Sequence, residues 1–145
     1  MLHKTTDELN HEIQAATNIE DYLKKNSSSM KLCSLSEYLN SLLSLKSLRK
    51  SDVICGSLLD RTYVFQIFSG EKNPSRDKLL ALSFGLKLNY EETQKMLKLS
   101  GNRELYARDK RDALIIFSIR KQMSIIDANT LLFEHNLNIL GNTFE

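Results

Sequence analysis

The chain has 145 residues, of which 41% are hydrophobic and 26% charged, with a formal net charge of +2. That is enough for one domain with a real core, and it excludes a disordered, collagen-like or strongly polyanionic protein. One proline and five glycines in the whole chain argue against sandwiches and barrels, whose many turns need such residues, and favour an all-α fold.

The two cysteines, Cys33 and Cys55, and the three histidines, His3, His11 and His135, fall in no metal-ligand spacing. No metal or other cofactor is therefore expected. The longest apolar run is Ala113–Phe117 and nothing resembles a signal peptide, so the expectation is a cytoplasmic, reduced protein without a membrane span. Ser28-x-x-Lys31 and Ser47-x-x-Lys50 match a nucleophile–lysine spacing. Two such hits in a chain rich in both residues are what chance produces, and no glycine-rich phosphate loop is present. An enzyme is not expected.

Thr5-x-x-Glu8 predicts a capped helix carrying Leu9, Ile13 and Ala16, and Asn18 caps a second short helix with Ile19, Tyr22 and Leu23. Ser27-Ser28-Ser29 is the expected linker, so residues 1–33 read as a helical extension. Ser34-x-x-Glu37 opens a helix to about Ser44, with Leu35, Leu39, Leu42 and Leu43 in one stripe. Lys50–Ser57 reads as a short helix. A turn of four residues is expected before the next, which Asp60 caps and Gly70 ends, with Val64 and Ile67 facing inward. Ser75 caps a helix with Leu79, Leu80, Leu82 and Phe84, ending near Gly85. Asn89-x-x-Glu92 caps the next, with Met96 and Leu97 inward, and Ser100-Gly101-Asn102 breaks it. A helix from Leu105 or later to Lys121 is apolar around most of its circumference and is expected to be deeply buried. Ser124-x-x-Asp127 caps a last helix to about Glu134. The tail beyond His135 carries weak signals.

Charge is uneven along this path. Residues 34–99 hold ten basic against seven acidic side chains, whereas 1–33 hold four against five and 100–145 six of each. The positive excess coincides with two short helices at a tight turn, the plan of a helix-turn-helix.

Several features of 34–99 occur together: Val64 and Ile67, then Gly70, then Asn73-Pro74-Ser75, then Leu79-x-x-Leu82-x-x-Gly85-Leu86-x-Leu88-x-x-Glu91. In these the segment resembles the bacterial and phage family of lambda-repressor-like, XRE-type helix-turn-helix transcription regulators. The resemblance implies a five-helix DNA-binding core over 34–99, with additional helices in 1–33 and 100–145. Three positions depart from the family pattern. Ile54 stands where a small residue usually lets the third helix cross closely, Leu58 where the turn usually has glycine, and Phe68 where glutamate is common.

The resemblance also implies roles. The third helix, about residues 61–69, would enter the major groove of double-stranded DNA and read bases through Arg61, Thr62 and Gln66. Arg49, Lys50, Ser51, Lys72, Asn73 and Arg76 would contact phosphates. Each also has a plainer reading as a solvated helix surface. Tyr63 and Phe65 do not fit the buried stripe; they would pack on flanking helices, meet a protein partner or touch thymine methyls. Ala113–Ile126 would serve a homodimer or protein partner, or simply cover the core. The alternative function is a helical protein–protein adaptor on the same scaffold that no longer binds DNA.

Overall fold

The computed structural model describes residues 5–26 and 33–141. Among the described residues every regular element is an α-helix. They are α1 (Thr6–Ala15), α2 (Ile19–Lys25), α3 (Leu35–Leu45), α4 (Lys50–Ser57), α5 (Arg61–Ser69), α6 (Arg76–Gly85), α7 (Tyr90–Leu99), α8 (Lys110–Arg120) and α9 (Ile125–Glu134). None of them is long and apolar enough to cross a membrane. The chain divides into two compact units, Met1–Cys33 and Ser34–Glu145. The expected serine linker lies outside the described residues.

The first unit is the hairpin α1–α2. Thr5 Oγ1 accepts the Glu8 N–H at 3.2 Å and Asn18 Oδ1 the Glu20 N–H at 2.9 Å. The Asn26 amide donates to Glu12 Oε2 at 2.7 Å and ties the end of α2 to α1. Ile13, Ile19 and Leu23 remain exposed.

The second unit takes in the whole of α3–α9, so the segment after residue 99 belongs to the same compact body as 34–99. Its core is one cluster that includes Leu39, Val53, Val64, Ile67, Leu79, Leu82, Met96, Leu97, Ile115 and Leu132. Each such side chain contributes about 1.5–3 kcal/mol by leaving water. The caps set the helix starts. Ser34, Asp60, Ser75, Asn89, Asp109 and Ser124 each accept the N–H three residues on, satisfying donors that the first turn leaves orphaned.

Two expectations need correction. The link between α4 and α5 has three residues, Leu58 to Asp60, not four. It closes so tightly because Leu58 takes the left-handed conformation at φ 59°. Ile54 is half-buried. Helices α4 and α6 approach closely, so that a Cβ on Gly85 would stand 2.5 Å from the Val53 carbonyl oxygen and one on Gly56 3.0 Å from Gly85 Cα. Finally, α8 is not deeply buried. It hides Asp112, Ile115, Ser118 and Ile119, while Ala113, Leu114 and Ile116 are half-buried and Phe117 is 49% exposed. An apolar composition all round does not give burial all round when neighbours cover one side only.

Candidate nucleic-acid interface

Helix α5 is anchored from below. Val64, Ile67 and Phe68 are buried, and the Asn40 amide of α3 donates to the Phe68 carbonyl at 2.8 Å. Asp60 caps the start through the Tyr63 N–H at 3.2 Å. Gly70, at φ 86°, ends the helix, and the N–H groups of Glu71 and Lys72 close on the Gln66 carbonyl.

That anchoring leaves one face outward. Arg61, Thr62, Phe65 and Ser69 are exposed, and Gln66 is half-buried beside them. At about 100° per residue these positions occupy one side of the helix, with Phe65 and Ser69 near its middle. Phe65 is 40% exposed. The Lys50 ammonium at the start of α4 lies 4.9 Å from the Phe65 ring centroid, and the Arg61 guanidinium lies 5.3 Å from it. Lys50 also reaches within 5.9 Å of the Phe68 ring. Lys78, in the first turn of α6, lies 5.6 Å over the half-buried ring of Tyr63. Burial pushes the Tyr63 phenol above its ordinary pKa, so it stays neutral beside the lysine.

Among the described residues, Lys50, Arg61, Lys72 and Lys78 have no carboxylate within ion-pair distance, as is also true of Lys87, Lys95, Arg108, Lys110, Arg120 and Lys121, whereas Lys46, Arg49, Arg76, Lys98, Arg103 and Arg111 are paired. Stacking on an aromatic face holds a cation in place without cancelling its charge. Asp52, Asp60, Glu71 and Asp77 are the nearby acids in sequence; Asp60 caps α5, Asp52 pairs with Arg49 and Asp77 with Arg111.

The structure places the other sequence candidates as follows. Arg49 and Ser51 are exposed at the start of α4; Arg49 pairs loosely with Asp52 at 3.7 Å. Lys72 and Asn73 are exposed in the link after α5. Arg76 is turned inward. Its guanidinium donates to both oxygens of the buried Asp112, at 3.1 and 2.8 Å, and to the carbonyls of Arg103 and Glu104. With 17% of its side chain exposed, Arg76 is part of the framework. Lys78 escaped the sequence reading, because nothing in its spacing shows that the chain returns over Tyr63 after Gly70 and Pro74. Among the described residues no cluster of His, Cys, Asp and Glu could hold a metal ion. No protein-family model, curated protein or solved structure matches the chain.

Proposed function

We propose that this protein is a sequence-specific DNA-binding regulator whose α5 enters the major groove, with α4 and α5 as a helix-turn-helix and α3–α7 as a five-helix core of the lambda-repressor-like kind. The observation that carries this reading is the outward face of α5, exposed polar and aromatic side chains with Lys50 and Arg61 stacked on Phe65 and no carboxylate within ion-pair distance of either cation. Such charges release counterions when they meet phosphates, which is the main source of affinity for duplex DNA. In this reading Arg61, Thr62 and Gln66 face base edges, and Lys50, Ser51, Lys72 and Asn73 face the backbone with Arg49 at the margin. Arg76 supplies framework rather than a phosphate contact.

Selection of the purified protein on a random duplex pool, repeated across a salt series, tests the proposal. An enriched motif with a steep salt slope supports it, and no retention at low salt defeats it. Arg61→Ala or Gln66→Ala should each weaken the selected site by about 1–3 kcal/mol and relax preference at one base pair. Wild-type affinity and preference in both variants would show that α5 does not read bases in this way.

A second reading, a protein–protein adaptor, draws on a different observation. Phe117 on α8 and Ile126 and Phe133 on α9 are 49%, 59% and 75% exposed. Ile126 also helps line a concavity of about 700 Å3 between α4, α6, α7, the end of α8 and the start of α9. Exposed aromatic and aliphatic groups of this kind suit a partner chain. DNA binding that is absent at low salt, with a partner lost on Phe133→Asp, would favour this reading.

A further inference from the structure

The centre of the outward face of α5 is occupied by neither an arginine nor a glutamine but by Phe65, and this has a consequence for specificity. A phenylalanine left 40% exposed on a helix keeps apolar surface in water, an unfavourable arrangement that nothing in the local fold requires. Val64, Ile67 and Phe68 already supply the buried side of α5. The ring is not loose, however. Lys50 and Arg61 lie 4.9 and 5.3 Å from its centroid, bracing it between the start of α4 and the start of α5. Lys78 braces Tyr63 separately at 5.6 Å. Phe65 is therefore a braced apolar group on a cationic helix face, one turn beyond Arg61 and beside Thr62.

The major groove offers only one apolar feature on its base edges, the C5-methyl group of thymine. We infer that Phe65 is a specificity-determining residue that packs against a thymine methyl in the duplex. Lys50 and Arg61 hold the ring in place and keep their own charge for phosphate or guanine. This inference rests on the DNA-binding reading of α5 and adds a contact class that hydrogen-bonding residues there do not supply. Burying one methyl group against the ring corresponds to about a three- to five-fold preference.

The test replaces each thymine in turn by uracil, which removes the methyl and leaves every hydrogen-bonding group, in the duplex that the wild-type protein enriches from a random pool. Wild-type protein should bind about three- to five-fold less tightly when one or two particular thymines are replaced. Phe65→Ala should bind thymine and uracil duplexes equally at those positions while keeping the wild-type salt slope. Phe65→Leu, which keeps an apolar side chain, should retain part of the preference and guards against a folding defect in the alanine variant. Indifference of the wild type to uracil at every position overturns the inference, as does an enriched motif without a required thymine. It is equally overturned if Phe65→Ala weakens all duplexes alike with the uracil effect intact, since the ring would then only position the two cations. If the wild-type protein retains no duplex even at low salt, the DNA-binding reading itself fails and the inference falls with it, an outcome distinct from binding that ignores the methyl.

Discussion

Asp112 is the residue whose loss the fold should feel most. Its carboxylate is 1% exposed, takes both arms of Arg76 and accepts the Tyr106 N–H at 3.0 Å. Removing one partner of a buried pair leaves the other charge without compensation. Asp112→Ala should therefore cost about 3–5 kcal/mol in urea denaturation, and a cost below about 1 kcal/mol would show that Arg76 finds replacement partners. Asp109, three residues earlier, makes a separate prediction. Its carboxyl is held below its ordinary pKa, first by the Asp112 N–H at 2.9 Å, with the fields of Arg103 and Arg76 and the Arg111 N–H adding to this against a contrary effect of burial. A carboxylate whose folded pKa is lowered adds stability above its unfolded pKa, about 4, and loses that contribution as pH falls through the folded value. Asp109→Asn keeps a capping side chain but does not titrate. Its melting temperature should fall less steeply than that of wild type as pH drops below about 4; parallel acid limbs would refute the assignment. The sequence left the start of this helix open and did not single out Asp109 as its cap, and Arg76 gave no hint of turning inward, because its partner lies 36 positions away.

At the scale of elements, the second unit uses one joint repeatedly. After α3, α4, α6 and α8 the chain places a left-handed residue, then a hydrophobic one, then the cap of the next helix. These are Ser47-Leu48-Arg49, Leu58-Leu59-Asp60, Lys87-Leu88-Asn89 and Gln122-Met123-Ser124. In three of the four the hydrophobic residue's N–H reaches back to close the finished helix, as in Leu48 to Leu43, Leu88 to Ser83 and Met123 to Ser118. The left-handed residues are not glycine, so each carries strain of about 1–2 kcal/mol. Lys87 is exposed, so Lys87→Gly sacrifices no packing and should raise stability by about 0.5–1 kcal/mol after the glycine's extra freedom in the unfolded chain is set against the relief. An unchanged or lowered melting temperature would refute this. Gly85 makes the opposite case. With Val53 O only 2.5 Å and Ser57 Cβ 3.0 Å from a Cβ placed there, Gly85→Ala forces α4 and α6 apart and should cost about 3 kcal/mol or more in a thermal melt. The family resemblance marked Ile54 as a departure at the helix crossing, and the close approach seen in the structure involves Gly56 and Gly85 instead. Sequence spacing shows that a small residue is present, but not which neighbour has come close to it.

For the molecule as a whole, the segment beyond α9 gives the second unit its closure. The Asn129 side chain both donates to the Leu140 carbonyl and accepts its N–H, each at 2.8 Å. Arg111 donates to the Asn138 carbonyl at 3.1 Å. This brings Gly141, at φ 91°, against Leu58 and the Ser57 carbonyl, where a Cβ would have only 2.9 Å to each. The last described residues thus cover the turn between α4 and α5 and link the end of the chain to the proposed DNA-binding helices. Asn129→Ala removes both hydrogen bonds of the clamp and should cost about 1–3 kcal/mol. Amide exchange should quicken at Leu140 and around Leu58–Asp60 while α3 keeps its protection. Unchanged exchange at the turn would show that the tail is not what holds it.

By itself the sequence determined where most of the helices begin, α8 excepted, because caps such as Asp60, Ser75 and Asn89 act on an N–H only three residues away and need no distant partner. The buried side of α5, Val64 and Ile67, was legible from their spacing, whereas Arg61, Thr62 and Gln66 were named only through the family resemblance; Arg61 and Thr62 are exposed and Gln66 is half-buried. Only the tertiary structure decided which apolar faces are covered, burying Ile115 and leaving Phe117 in water on the same helix. It also decided which cations keep their charge free, pairing Arg76 with Asp112 but standing Lys50 and Arg61 over Phe65. Those outcomes depend on residues separated by tens of positions, which meet only once the helices have packed, and no local rule of spacing records the meeting.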